Sequence, residues 1–394
     1  MLKKLLTQLL RRSSPAPALK PVAPAFPKAA SRTADVLPLA ASTSAAQTTP
    51  MTLPLDPVDP PVALRSRLNS TGQVTLLLPT IASRIEFLRS TLAHLEVAMP
   101  GVRIVISDHT EDGDRDAVTR LVAQYPRLQV ETVHHPAAMH FLQRLSDCAK
   151  VAHTPFVVVH ADDDYMLPAA LDESVVFLQS HQDYVCCQGR TFFLKLRAPR
   201  FCAPKIHAVM TRAEGKAAER IVHQCSNFTP TLYALTRREA FIEANETTLR
   251  HTTNVVFWQY LSSCLLLAKG KSRVLDSLYY LRLDNPDGWR ATLIRQGDKT
   301  HWPNLIVAPE FSHELAGFRE GLMTALGRAG VSELDRVADE CCIALVRRAF
   351  NPAWPHEHAE LELLTRASAP GSDEYQLVRY CGSLSLTALT RHHR

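Results

Sequence analysis

Glycine is scarce in this chain, at 14 of 394 residues, and neither a Gly-rich phosphate loop nor a G-x-S-x-G elbow occurs. Those gaps remove P-loop nucleotide hydrolysis and the serine chemistry of α/β-hydrolases. The nine cysteines include no C-x-x-C pair. A structural zinc module needs ligands spaced to converge, so that class goes too. Cys186-Cys187 and Cys341-Cys342 lie in apolar surroundings, the pattern of reduced, buried thiols in a cytosolic protein. No apolar run approaches the roughly 18–20 residues that cross a bilayer. The body also lacks a basic surplus. The formal net charge is +5, but residues 1–70 alone carry nine Lys/Arg against three acids, and the remainder is −1. A nucleic-acid-binding body is therefore not indicated.

What is present divides the chain into three expected parts: a basic Pro/Ala/Ser-rich tail over residues 1–70, an α/β domain over 71–300, and a helical extension over 301–394. Residues 1–12, MLKKLLTQLLRR, place leucines on one helical face and bases on the other. That suits weak peripheral contact with an anionic membrane, a targeting or secretion signal, or a frayed tail, and the sequence leaves the three open. Residues 13–61 hold too little apolar surface to fold.

From Val74 the periodicity becomes that of a doubly covered sheet. Residues 74–79 (VTLLLP), 102–107 (VRIVIS), 128–133 and 156–160 (FVVVH) read as buried strands. They alternate with helices over 85–97, 115–125 and 141–151. Such alternation predicts a mostly parallel sheet with helices on both faces, Rossmann-like in plan. A strand over 184–187, a polar stretch to about 227, a strand over 231–236 and a helix from 237 follow. The helix over 254–269 is expected to stop at Gly270 in the left-handed conformation. Residues 273–283 read as extended, and helices are expected from Ser312 onward.

Ligands of parallel sheets gather at the carboxyl ends of strands. Thr80, Asp108 and the run Asp162-Asp163-Asp164 all stand there. Three successive carboxylates repel one another unless a cation joins them, and Mg²⁺ or Mn²⁺ with substrate phosphates is one answer. A solvated loop capping the next helix is the other. Asp108 is suited to accept an N–H or hydroxyl of a ligand, or to cap its own turn. Its neighbourhood is no calcium loop, because Thr119 stands at the twelfth position. Arg84 is placed to pair with phosphate or stack on a base. The histidine pairs His134-His135 and His356-x-His358 show no partner set for a metal and read as satisfied or exposed.

Pro79-Thr80 with Arg84, the strand ending at Asp108, and VVVHADDDY together resemble bacterial family 2 glycosyltransferases of the GT-A fold, more narrowly a subgroup with an A-D-D-D-[FY] metal motif. The resemblance covers about residues 74–290, with LYALTRREAF and GKSRVLDSLYYLR as its late markers. It implies a nucleotide-sugar site built from Pro79, Thr80, Arg84, Asp108, Asp162 and Asp163. A Mn²⁺ or Mg²⁺ ion would sit on Asp164 with Asp162. It further implies an inverting transfer from a nucleoside-diphosphate sugar, UDP-linked, to a glycan, lipid-linked or protein acceptor. One position departs. Where such enzymes carry an acidic general base, this chain has Gln259, and Asp284 and Asp287 are the nearest substitutes. General base catalysis supplies roughly 10²–10⁴ in rate, so a non-catalytic nucleotide-sugar-binding or scaffold protein on the same fold is the second expectation. A haloacid-type phosphohydrolase is the third, resting only on Asp162-x-Asp164, and Tyr165-Met166 is the wrong continuation for it.

Overall fold

The computed structural model of the chain describes residues 53–54, 59–65, 69–110, 114, 116–197, 201–207, 209–283, 310–350, 362–363, 366–367 and 369–392. Residues 1–12 and most of the expected tail lie outside these, as do Asp284 and Asp287.

After the two-residue edge strand Leu53–Pro54, which pairs with residues 201–202, the sheet's core begins with β1 (Val74–Thr80) and β2 (Arg103–Asp108). β3 (Gln129–His134) and β4 (Phe156–Val159) complete its parallel part, in the spatial order β4-β1-β2-β3. Leu76, Leu77 and Leu78 are all fully buried, as are Ile104 and Ile106. Burial on consecutive residues means that both faces are covered, as the continuous apolar runs predict. On one face Leu77, Val105, Val157 and Val159 pack against Leu145, Cys148, Ala149 and Phe241. Each valine, leucine or phenylalanine among them contributes about 1.5–3 kcal/mol on leaving water.

Between the strands run α1 (Ile85–Ala98), α2 (Asp116–Val122) and α3 (Phe141–Val151). α1 buries Phe87, Leu88, Thr91, Leu92 and Leu95, a stripe at helical spacing. The chain turns out of it at Gly101, whose φ of +83° suits glycine. α3 opens at His140, whose ring nitrogen accepts the Leu142 N–H at 3.2 Å.

The second half of the sheet is mixed. β5 (Tyr165–Met166) and α4 (Pro168–Ser180) follow the acidic run. β6 (Tyr184–Arg197) and β7 (Phe201–His207) then form an antiparallel pair, and α5 (Ala217–Ser226) comes next. The stretch expected to be polar coil is therefore a long strand, its antiparallel partner and a helix. Its bases mask a strand in which every residue from Val185 to Phe192 is buried, and Leu194 with them. β8 (Leu235–Arg237) joins β4 to β6, antiparallel to both. α6 (Arg238–Leu249) and α7 (Val255–Lys269) lead to β9 (Lys271–Leu283), parallel to β6 and antiparallel to β5. Gly270 does not take the expected left-handed cap: its φ of −170° and ψ of −178° are extended. Glycine suits the position for another reason, since a Cβ there would meet the Asp183 carbonyl at 2.9 Å.

The C-terminal residues form α8 (Phe311–Arg328), α9 (Leu334–Phe350) and α10 (Asp373–His392). Architecture and expectation agree: an α/β fold with a parallel Rossmann-like core, here flanked by antiparallel strands, plus C-terminal helices. α10 packs on α1 and β9, where Ala388 joins Phe87 and Leu283. No helix among the described residues is long and apolar enough to cross a membrane. The eight cysteines whose side chains are described are free and buried.

Candidate functional site

The parallel ladder sets Thr80 beside Asp108 and Asp108 beside His134. Three strand ends thus form one edge, with neighbours about 5 Å apart. β4 ends alongside, where the His160 N–H donates to the Leu77 carbonyl at 2.9 Å, and the chain runs directly into the aspartates.

Thr80 links the two acidic features. Its hydroxyl donates to Asp162 Oδ2 at 2.9 Å, while its backbone is paired with Asp108. Arg84, delivered by the turn after β1, donates to Asp162 through Nε at 2.9 Å and Nη2 at 2.7 Å, and to Asp163 Oδ2 at 2.6 Å. Asp164 is held from the other side: its Oδ1 accepts the Leu283 N–H at 2.9 Å and its Oδ2 lies 3.3 Å from Arg282 Nε. The backbone is fixed as well, since Thr91 Oγ1 donates to the Asp162 carbonyl at 2.8 Å. Asp162 and Asp164 are 4% and 1% exposed. The run is therefore an interior feature and not a solvated loop.

Burial is the first influence on these carboxyls. It pushes Asp164 up to about 7 against the opposing pull of Arg282, and it raises Asp162 against that of Arg84. Burial would lower the two guanidiniums, yet both end above their ordinary value. Asp162 outweighs it for Arg84, and Tyr233 followed by Asp164 does so for Arg282. The pair Asp164–Arg282 thus has both members raised. We take the upward direction for the carboxyl, because at 3.3 Å with one nitrogen the pairing is weak compensation for lost water.

Asp108 is fully buried. Its Oδ1 accepts the Thr110 N–H at 2.9 Å and the Thr110 hydroxyl at 2.5 Å, so it does cap its own turn. Its Oδ2 lies 3.2 Å from His134 Nδ1 and, among the described residues, is a buried acceptor that receives no hydrogen bond. His109 Nδ1 lies 2.8 Å from the Thr80 carbonyl, and Arg144 Nη1 approaches the same ring. His135 Nδ1 lies 3.1 Å from Ser107 Oγ. Burial lowers His109 to about 4, so it stands neutral.

The structure brings Thr80, Arg84, Asp108, Asp162, Asp163 and Asp164 together, with Pro79 the penultimate residue of β1. Gln259 lies in the second turn of α7. That helix opens near the N-terminus of α3, where His140 Nε2 lies 3.1 Å from the Thr253 carbonyl. No hydrogen bond joins the Gln259 amide to the acidic run among the described residues. The residues not anticipated are Arg282, His109, His134, His135 and Arg144. A lone arginine inside the apolar strand YYLRL was the available signal, since a buried guanidinium requires an acidic partner.

A divalent ion would require carboxylate oxygens with free lone pairs. Those of Asp162 and Asp164 accept from Thr80, Arg84, Arg282 and Leu283. Among the described residues no group of three or more His, Cys, Asp or Glu is arranged to hold an ion. The donor set in this arrangement does not fit one.

No protein-family model matches the chain, and no curated protein matches it. Solved structures do. A Staphylococcus aureus TarS fragment, residues 1–349 in complex with UDP-GlcNAc, is 12% identical and covers 72% of this chain and 93% of its own, with a TM-score of 0.41. The longer TarS structure is 16% identical and covers 78% and 55%, also with a TM-score of 0.41. The mannosyltransferase PcManGT of Pyrobaculum calidifontis, in complex with GDP-Man and Mn²⁺, is 15% identical and covers 82% and 87%, with a TM-score of 0.35. At these TM-scores the likenesses carry no argument about what this chain does.

Proposed function

We propose that the chain is an inverting glycosyltransferase of the GT-A type. It would transfer a sugar from a nucleoside-diphosphate sugar, UDP-linked, to a glycan, lipid-linked or protein acceptor. The observation that supports this best is the bridge made by Thr80, which joins the Asp108 strand end to the acidic run within one edge of a parallel sheet. Asp108, with a single carboxylate oxygen left over, would take one N–H of the base. Pro79, Thr80 and Arg84 would line the nucleotide, and Asp162 with Asp163 would face ribose and diphosphate. The acceptor hydroxyl attacks the anomeric carbon, the bond from that carbon to the β-phosphate oxygen breaks, and the nucleoside diphosphate leaves. The hydroxyl proton goes to a base, for which Asp284 and Asp287 are the candidates. No step is assigned to a metal, because the carboxylates expected to hold it are engaged. Residues 1–12 would supply peripheral membrane contact on the cytoplasmic side.

Gln259 favours a second reading, a non-catalytic nucleotide-sugar-binding or scaffold protein, since an amide is a poor proton acceptor at neutral pH. Incubation with a panel of nucleotide sugars, reading released nucleoside diphosphate, separates the two. Release above the hydrolysis blank supports transfer. Binding of UDP by calorimetry without any release supports the second reading, and absence of both removes the site from nucleotide chemistry.

A further inference from the structure

The three carboxylates are shared between two guanidiniums that arrive from opposite sides. Arg84 follows β1 and grips Asp162 through two nitrogens, at 2.9 and 2.7 Å, with Asp163 at 2.6 Å from the second. Arg282, near the end of β9, stands 3.3 Å from Asp164 and lies over the rings of Tyr233 and Phe193, at 4.5 and 5.1 Å. Planar, delocalised cations suit this role, because one guanidinium can serve two carboxylates and still stack on aromatic faces. A Mg²⁺-sized ion demands near-octahedral oxygens at about 2.0–2.1 Å. Placed in this run it would compete with two fixed positive charges for the same lone pairs. A third guanidinium, Arg144, is 7% exposed and has no carboxylate partner among the described residues. It reaches His109 at the Thr80 carbonyl, on the same strand-end edge but with no contact to the acidic run among the described residues. Arg84 and Arg282 keep side-chain exposures of 19% and 27%. Among the described residues the Nη1 of each has no hydrogen-bond partner.

We infer that Arg84 and Arg282 are the resident cations of this site, and that it takes a nucleoside diphosphate on their outward Nη1 edges without a divalent ion. The second half rests on the nucleotide reading above, whereas the first half does not.

The test uses the full chain, Mn²⁺ as the metal alone and UDP as the nucleotide. Free Mn²⁺ is followed by electron paramagnetic resonance at about 0.1 mM, well inside the range of a dedicated oxygen-ligand site. The wild-type chain is expected to leave the free signal intact. Arg84→Ala, by uncovering Asp162 and Asp163, is expected to gain a Mn²⁺ site that a further Asp164→Asn weakens. If Arg84→Ala does not fold, Arg282→Gln replaces it, with the gain expected at Asp164. One Mn²⁺ bound by the wild type overturns the assignment, and so does a folded arginine variant that gains none. UDP affinity is then measured by calorimetry with EDTA and with added Mn²⁺. A change below about threefold supports metal-free binding, and tightening by Mn²⁺ of more than about tenfold overturns it. If UDP binds under neither condition the nucleotide half falls, while the Mn²⁺ titration still decides the role of the arginines.

Discussion

The buried Asp164 gives the protein a stability that should fall as pH rises. Its carboxyl is moved by burial from an ordinary 3.8 up to about 7. A carboxyl raised in this way holds its proton in the folded chain where the unfolded chain has already lost it. Between those two values the folded state therefore binds more protons, and unfolding becomes easier with each step upward in pH. From about pH 5 to the folded midpoint is roughly two pH units at about 1.4 kcal/mol each, so the expected loss between about pH 5 and pH 8 is roughly 3 kcal/mol. Other groups slope the opposite way over part of this window. Burial depresses His94 to about 4 and His160 to about 3, and each contributes stability that grows as pH rises toward the ordinary histidine value. The informative quantity is thus the gap between the wild type and Asp164→Asn, measured by urea unfolding at about half-unit pH steps. Asparagine removes the titration and leaves a constant offset from the exchange of a neutral carboxyl for an amide, so the wild type should lose ground to the variant steadily up to about pH 7. Parallel curves would refute the reasoning. A wild type that gains on the variant as pH rises would show that Arg282 outweighs burial and that the carboxyl is depressed.

Three further outcomes follow from the packing. Thr80→Val keeps the shape but removes the donor 2.9 Å from Asp162 Oδ2; a hydrogen bond to a charged group is worth about 1.5–3 kcal/mol, which urea unfolding should register with little change in m-value. Gly317→Ala would drive a Cβ into the His251 carbonyl, where α8 meets the turn before α7; overpacking of that kind costs about 1–3 kcal/mol, read as a fall in Tm. Phe87→Ala empties the position shared by Arg84, 4.8 Å from its ring, and by α10 through Ala388; large-to-small change at an aromatic core site costs about 3–5 kcal/mol. It should also speed proteolysis within α10, while equal digestion rates would count against α10 as a support of the site.

The parallel core was legible because each of its strands is wholly buried. VTLLLP and VRIVIS have no polar face, and only a strand between two helical layers accommodates such a run. The acidic run was equally legible in position, since a buried strand ends immediately before it. The antiparallel half was less so. In β6 the bases Arg190, Lys195 and Arg197 break up a segment whose residues from Val185 to Phe192 are all buried, so composition spoke for coil where the fold makes a covered strand. Gly270 shows a related limit. Its place after a helix suggested a backbone angle, whereas the physical constraint is the Asp183 carbonyl, a neighbour far away in the chain.

The cations of the site were hidden for a reason that belongs to charge itself. Three adjacent carboxylates announce that something positive must accompany them, but sequence fixes only the deficit and not its source. A divalent ion, two arginines or a proton satisfies the same electrostatic requirement. Arg84 was visible as a basic residue near a strand end, yet its distance from Asp162 depends on the order β4-β1 in the sheet. Arg282 depends on still more: β9 must return antiparallel to the short strand that follows the run, so that Leu283 and Arg282 meet Asp164 together. A compensating charge that arrives through topology can be inferred from the acids alone only as a need, and here the fold meets that need with guanidinium groups.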